Sequence, residues 1–230
     1  MLERLKEEVF KANLELVAKG LVIHTWGNAS GRDAETGLIV IKPSGVSYSA
    51  MKPEDMVVFN PDGTVVEGIY KPSTDAPTHL LLYKKWKSIG GIVHTHSTYA
   101  TSWAQAGMAI PALGTTHADH FYGEVPCTRK LKAKEIKADY ELNTGRIIIE
   151  TFKNNDPLNA PSVLVNNHGP FSWGTDVADA VYNAVALEEI AHMAFNTFLL
   201  GSRKAVSHVL LDKHFKRKHG NNSYYGQGKI

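Results

Sequence analysis

Two short apolar runs that end in histidine constrain this chain most. Gly90-Gly91-Ile92-Val93-His94-Thr95-His96 is a buried-strand pattern that turns polar where a strand's end would open into a cleft. Val163-Leu164-Val165-Asn166-Asn167-His168 repeats the arrangement and runs into Gly169-Pro170. Successive side chains of a strand leave opposite faces, so His94 and His96 leave the same face and can reach one ion. An H-x-H pair by itself reads as two surface or hydrogen-bonded histidines; the strand-end flanks favour a metal. With His168, three imidazoles and one open position make a zinc-like catalytic set, which a carboxylate such as Asp75 could complete. Other divalent ions with a taste for imidazole and oxygen stay open. The remaining eight of the 11 histidines mostly lack this context, and His24, His79, His192 and His208 read as structural or surface residues.

The rest of the chain supplies helices and hairpins in mixed order. Leu5, Val9, Ala12 and Leu16 fall on one helical stripe, closed by Gly20. Strands are expected over Leu38–Lys42, Met56–Phe59 and Thr64–Glu67, the last two joined by the turn Asn60-Pro61-Asp62-Gly63. Asp75 followed by Pro77 reads as a helix start, carrying the chain to Trp86 before Gly90-Gly91 stops it. A charged helical stretch is expected around Lys132 to Tyr140, and a long one from Val177 through Phe198, closed by Gly201. The mixture predicts an α/β fold: one domain over residues 1–230, with a central, mainly antiparallel sheet covered by helices.

Composition narrows the function classes. A net charge of +2 is too small to imply a nucleic-acid partner, although Lys213, Lys216, Arg217 and Lys218 form a basic run that suits a solvated face or a phosphate contact. A single cysteine, Cys127, excludes an intrachain disulfide and a thiolate zinc site. No apolar run approaches ~18 residues and the start has no signal-peptide core, so no membrane partner and a cytoplasmic location are expected.

Three polar loops could hold an anion or a substrate. Lys42-Pro43-Ser44-Gly45 follows a strand with a cation, a hydroxyl and a permissive glycine. Lys71-Pro72-Ser73-Thr74-Asp75 puts two hydroxyls before a helix N-terminus, where free N–H groups favour an anion; spacing alone favours a helix start capped by Ser73, Thr74 or Asp75. Trp26-Gly27-Asn28-Ala29-Ser30 is the third, and could be an ordinary strand entry.

An ordered series of motifs runs through nearly the whole chain: Thr25-Trp26-Gly27-Asn28, Ile41-Lys42-Pro43-Ser44-Gly45-Val46, Gly91-Ile92-Val93-His94-Thr95-His96, Gly114-Thr115-Thr116-His117-Ala118-Asp119, His168-Gly169-Pro170-Phe171 and Tyr224-Tyr225-Gly226-Gln227. Together they resemble the class II aldolase and epimerase family, which includes adducin-like domains, and within it the members that epimerise pentulose phosphates at carbon 4. The resemblance implies a three-layer fold and one divalent ion per subunit, zinc by preference, bound by Asp75, His94, His96 and His168. It implies substrate and phosphate contacts from Gly27, Asn28, Ser44, Gly45, Ser73 and Thr74, with Lys42 beside them. It further implies that Asp119 and Tyr225 are an acid/base pair contributed by a neighbouring subunit of a four-fold homotetramer, with Thr115, His214 and Arg217 as helpers. The chemistry implied is retro-aldol cleavage and re-addition. Alternatives are a fuculose-phosphate type aldolase, for which the family typically has glutamate where Asp75 stands, an L-xylulose-5-phosphate epimerase, and a non-catalytic adducin-like domain, which would have lost the histidines.

Overall fold

The first helix forms where the apolar stripe requires it. In the computed structural model, which describes residues 2–220, 223 and 224, α1 (Glu3–Ala18) buries Val9, Ala12 and Leu16 on one side, and Gly20 follows it at φ +70°. Among the described residues seven strands follow: β1 (Gly27–Arg32), β2 (Ile39–Ile41), β3 (Val57–Phe59), β4 (Val65–Glu67), β5 (Gly91–Thr95), β6 (Ser162–Leu164) and β7 (Pro170–Gly174). They form one sheet in the order β4-β3-β2-β1-β5-β7-β6, and all six pairings are antiparallel. The β3–β4 hairpin closes as expected, with the Gly63 N–H donating to the Asn60 carbonyl at 2.9 Å and Gly63 at φ +95°.

Strand alternation sorts the core onto two faces. Ile39, Ile41, Val57, Phe59, Ile92, Phe171 and Trp173 face one way, against α2 (Ala76–Lys85) and α6 (Tyr140–Thr151). Val40, Val58 and Val93 face the other way, against α1 and α7 (Val177–Leu199). Of the short helices, α3 (Thr98–Ala106) packs on α7, α5 (Ala133–Lys137) on α6, and α4 (Thr115–Ala118) on the last helix, α8 (His208–His219). The result is the helix–sheet–helix layering expected of the family. No helix among the described residues is long and apolar enough to cross a membrane.

Four local readings need correction. Of the two readings open for Trp26–Ser30, the strand holds and the loop does not: Gly27–Arg32 is a central strand. Its composition hides this because helices press on it. A Cβ at Gly31 would meet Val177 Cγ2 at 2.5 Å and Leu5 Cδ1 at 2.8 Å, and the buried Ser30 is satisfied by His79 Nδ1 at 2.7 Å and Tyr83 Oη at 2.9 Å. His168 is not on a strand but in the turn between β6 and β7, where its N–H donates to the Val165 carbonyl at 2.9 Å and Asn167 takes φ +61°. The charged helix around Lys132–Tyr140 stops at Lys137, and a second helix starts at Tyr140. Asp75 stands at the N-cap of α2, yet its side chain makes no capping bond.

Candidate metal centre

Register gathers the site. Asn28 on β1 lies opposite His94 on β5, which lies opposite Phe171 on β7. These residues share the sheet face packed against α2 and α6, so one row crosses three strands. The buried Phe171 ring stacks on His94 with centroids 4.2 Å apart and fixes the imidazole plane. His94 Nδ1 lies 2.9 Å from the Pro170 carbonyl, an acceptor only, so Nδ1 carries the proton and Nε2 offers its lone pair. His96, one residue past β5, brings its Nε2 to 3.2 Å from that atom. His168 enters from its turn, and one ligand nitrogen from each of the three histidines lies within 4.8 Å of the others.

This geometry passes the test for a divalent ion. Tetrahedral zinc with nitrogen ligands at ~2.0–2.1 Å needs ligand–ligand edges of about 3.3 Å, close to the 3.2 Å between His94 and His96. Burial pushes His168 down to about 3, with the neighbouring imidazoles adding to it, and burial also lowers His96. Both rings are therefore neutral and ligand-ready near pH 7. Burial runs from His94, which is covered, to His96, which is exposed, so the centre opens to solvent on one side.

Asp75 stands beside the three histidines rather than within the 4.8 Å set. Its Oδ2 accepts a 2.8 Å hydrogen bond from Asn28 Nδ2, which explains why the carboxylate does not cap its own helix. Burial raises its pKa, but His94, His79, the Asn28 bond and His168 together outweigh that and hold it below the usual carboxylate range. Asp75 is thus an anion close enough to the imidazoles to feel their charge.

The two expected anion loops are joined side by side. The Ser44 N–H donates to the Lys71 carbonyl at 2.9 Å and the Ser73 N–H to the Lys42 carbonyl at 3.0 Å. Gly45 takes φ +68°, with open space where a Cβ would stand. Lys42 is buried beneath them, its ammonium donating to the Pro43 and Val46 carbonyls and lying 4.8 Å from the Tyr48 ring centroid; burial lowers its pKa. Gly27, Asn28, Lys42, Ser44, Gly45, Ser73, Thr74, Asp75, His94, His96 and His168 all line one cavity of about 580 Å³, a volume suited to a small ligand. Thr25, Trp26, Tyr140 and Glu141 also line it. Tyr140 and Glu141 carried no sequence signal, being the end of a charged stretch; only the helix break at Ala138-Asp139 turns them inward.

Asp119 is not in that cavity. It follows α4 and is gripped by α8: His214 Nδ1 at 3.0 Å, Arg217 Nε at 3.0 Å and Arg217 Nη2 at 2.6 Å all meet its carboxylate. Burial raises its pKa, and the Arg217 and His214 bonds reverse the sign, so it is held below the usual range. Thr115 opens α4, its carbonyl accepting the Asp119 N–H at 2.9 Å. Tyr225 lies outside the described residues. His79 is buried in the core, as a structural histidine should be.

Residues 7–195 match the family described as Class II Aldolase and Adducin N-terminal domain. The chain belongs to that family. Among class II aldolase relatives, L-ribulose-5-phosphate 4-epimerase UlaF of Salmonella paratyphi B is 57% identical over 229 residues, covering 98% of this chain and all of the relative. An L-fuculose 1-phosphate aldolase structure superposes with a TM-score of 0.80 at 26% identity, covering 93% of this chain and 95% of the other. The aldolase of that name from Glaciozyma antarctica superposes at 0.76 and 20% identity, covering 93% and 81%, which speaks to the class II aldolase fold alone.

Proposed function

We propose that the chain is an L-ribulose-5-phosphate 4-epimerase, converting L-ribulose 5-phosphate to D-xylulose 5-phosphate by breaking and remaking the bond between carbons 3 and 4. The observation that carries this is full-length identity of 57% to a relative of that name. The retained histidines argue against an adducin-like binding domain. On this reading residues 1–230 act as one domain of a cytoplasmic enzyme.

Asp75, His94, His96 and His168 would hold a divalent cation, zinc by preference, which supplies Lewis acidity against the negative charge that develops on the substrate's carbonyl oxygen. The chain's own residues do the rest. The paired loops hold the phosphate through the hydroxyls of Ser44, Ser73 and Thr74 at the α2 N-terminus, where the helix dipole favours an anion, with the buried Lys42 charge beneath. Asn28, tied to Asp75, orients the carboxylate and faces the sugar. A base takes the proton from the carbon-4 hydroxyl; the electron pair of the carbon 3–carbon 4 bond passes to carbon 3, conjugated with the ketone. This leaves the enediolate of dihydroxyacetone and glycolaldehyde phosphate. The aldehyde turns, accepts the pair back on its other face, and an acid returns the proton to its oxygen, inverting carbon 4. Asp119, ionised by Arg217 and His214, and Tyr225 are the acid/base pair, one for each epimer.

Asp119 lines a different cavity from the histidines, which supports a site completed by a neighbouring subunit of a homotetramer. A second reading, release of the aldehyde, is favoured by the likeness to L-fuculose 1-phosphate aldolase, whereas aspartate rather than glutamate at position 75 favours the epimerase. The deciding assay incubates the metal-loaded protein with L-ribulose 5-phosphate. D-xylulose 5-phosphate without free aldehyde is expected; stoichiometric glycolaldehyde phosphate would replace epimerase with aldolase, and no turnover would remove both.

A further inference from the structure

Two of the three imidazoles at the centre have a visible partner, outside the three histidines, for one ring nitrogen. For His94 that partner is the Pro170 main-chain carbonyl. For His168 it is a side chain: the Tyr140 hydroxyl, 3.3 Å from Nδ1. We propose that Tyr140 is a positioning residue of the metal centre, its hydroxyl oxygen accepting the His168 Nδ1–H so that Nε2 presents its lone pair to the ion. This rests on the reading that the three histidines bind a divalent cation.

A neutral imidazole has one N–H, and whichever nitrogen keeps it cannot ligate. The backbone of His168 is fixed by its turn, with Val165 N–H to the Gly169 carbonyl and His168 N–H to the Val165 carbonyl, both at 2.9 Å. Neither bond sets the ring's rotation or its tautomer. Tyr140 can do so because it is itself held. It is the first residue of α6, its carbonyl accepts the Thr144 hydroxyl at 3.0 Å, and α6 packs on α2, the helix that Asp75 begins. The rings stand 5.9 Å apart at 42°, an approach through the hydroxyl rather than through stacked faces. The same helix pair thus braces two donors of the centre, the Asp75 carboxylate directly and His168 through Tyr140.

Tyr140→Phe keeps the ring and removes only the oxygen. The test measures Zn²⁺ affinity by competition with a chromophoric chelator, and the visible spectrum with Co²⁺, for the wild type, Tyr140→Phe and His168→Asn, with apoprotein melting as the control for folding. The wild type should bind one ion and His168→Asn should lose it. Tyr140→Phe should bind about 10–100-fold more weakly, with an altered Co²⁺ band and unchanged apoprotein melting. Wild-type affinity and spectrum in Tyr140→Phe would overturn the role of Tyr140 while leaving the histidine site standing. Weaker binding with an unaltered Co²⁺ band would assign the loss to packing and overturn it equally. A wild type that binds neither ion would overturn the metal reading itself.

Discussion

Arg217→Met tests how α8 is held and how Asp119 is kept ionised. Helix α8 buries only Leu211, so little apolar packing fixes it and polar ties to Asp119 carry much of its attachment. Arg217 supplies two of these, at 3.0 and 2.6 Å, from a side chain 25% exposed to a carboxylate 13% exposed. Hydrogen bonds to charged groups contribute ~1.5–3 kcal/mol. Because the two share one acceptor, and His214 remains, about 2 kcal/mol is expected for both. That corresponds to roughly 30-fold faster hydrogen exchange at α8 amides, with the sheet unaffected. It also raises the Asp119 pKa, since a lowered carboxylate pKa is the signature of what Arg217 provides. Asp119 contributes stability above its ordinary value of 3.8, and this is lost as pH falls through its lower folded value. In the variant the folded value lies nearer 3.8, so less stability is lost with acid, and the acid limb of kcat/KM should move to higher pH. Unchanged exchange in α8 together with an unmoved acid limb would refute the reasoning.

Gly31→Ala should destabilise the protein by about 1–3 kcal/mol, because its Cβ would sit 2.5 Å from Val177 Cγ2 and 2.8 Å from Leu5 Cδ1; an unchanged denaturation midpoint would contradict the close packing of β1. His117 donates from Nε2 to the Gly123 carbonyl at 2.7 Å and leaves a buried Nδ1 without a partner, and burial depresses it to about 4 from an ordinary 6.5. The unfolded chain takes this proton at the higher pH, so stability is full above 6.5 and falls as pH drops toward 4, by on the order of 3 kcal/mol. His117→Gln should remove that part of the pH dependence in denaturant titrations, and equal slopes for both proteins would reject it. Inactive His96→Asn and inactive Asp119→Asn chains should regain partial activity when mixed as tetramers, and verified mixed tetramers with no activity would count against a shared site.

How much of this was legible in the sequence depended on whether side chains or neighbours dictate each element. The stripe Val9, Ala12 and Leu16 and the alternation Ile39, Val40, Ile41 declare their own burial, and α1 and β2 stand where they were read. Strand β1 does not, because Gly27 and Gly31 are there for the atoms that approach them. Helix α6 was hidden likewise: its buried positions include Asn143, Thr144 and Gly145, which carry no apolar stripe, and Leu81 stands 3.0 Å from where a Gly145 Cβ would be. His94 and His96 were legible from strand geometry together with their apolar flanks. His168 was legible as a residue but not as a turn, and the joining of the Ser44 and Ser73 loops belongs to the tertiary fold. Asp119 looked like any loop carboxylate, and only family resemblance marked it; its grip by His214 and Arg217 spans about a hundred residues of chain.

Inversion by cleavage differs from inversion by proton abstraction in what happens to the hydrogen on carbon 4. That hydrogen is not adjacent to the ketone at carbon 2, so its removal would leave a carbanion with no carbonyl to delocalise it, whereas cleavage places the charge at carbon 3, beside the carbonyl. The measurement is to run the conversion of L-ribulose 5-phosphate in deuterated water and read carbon 4 of the D-xylulose 5-phosphate by NMR. Full retention of hydrogen at carbon 4 is the predicted result; deuterium entering carbon 4 in step with inversion would contradict the account.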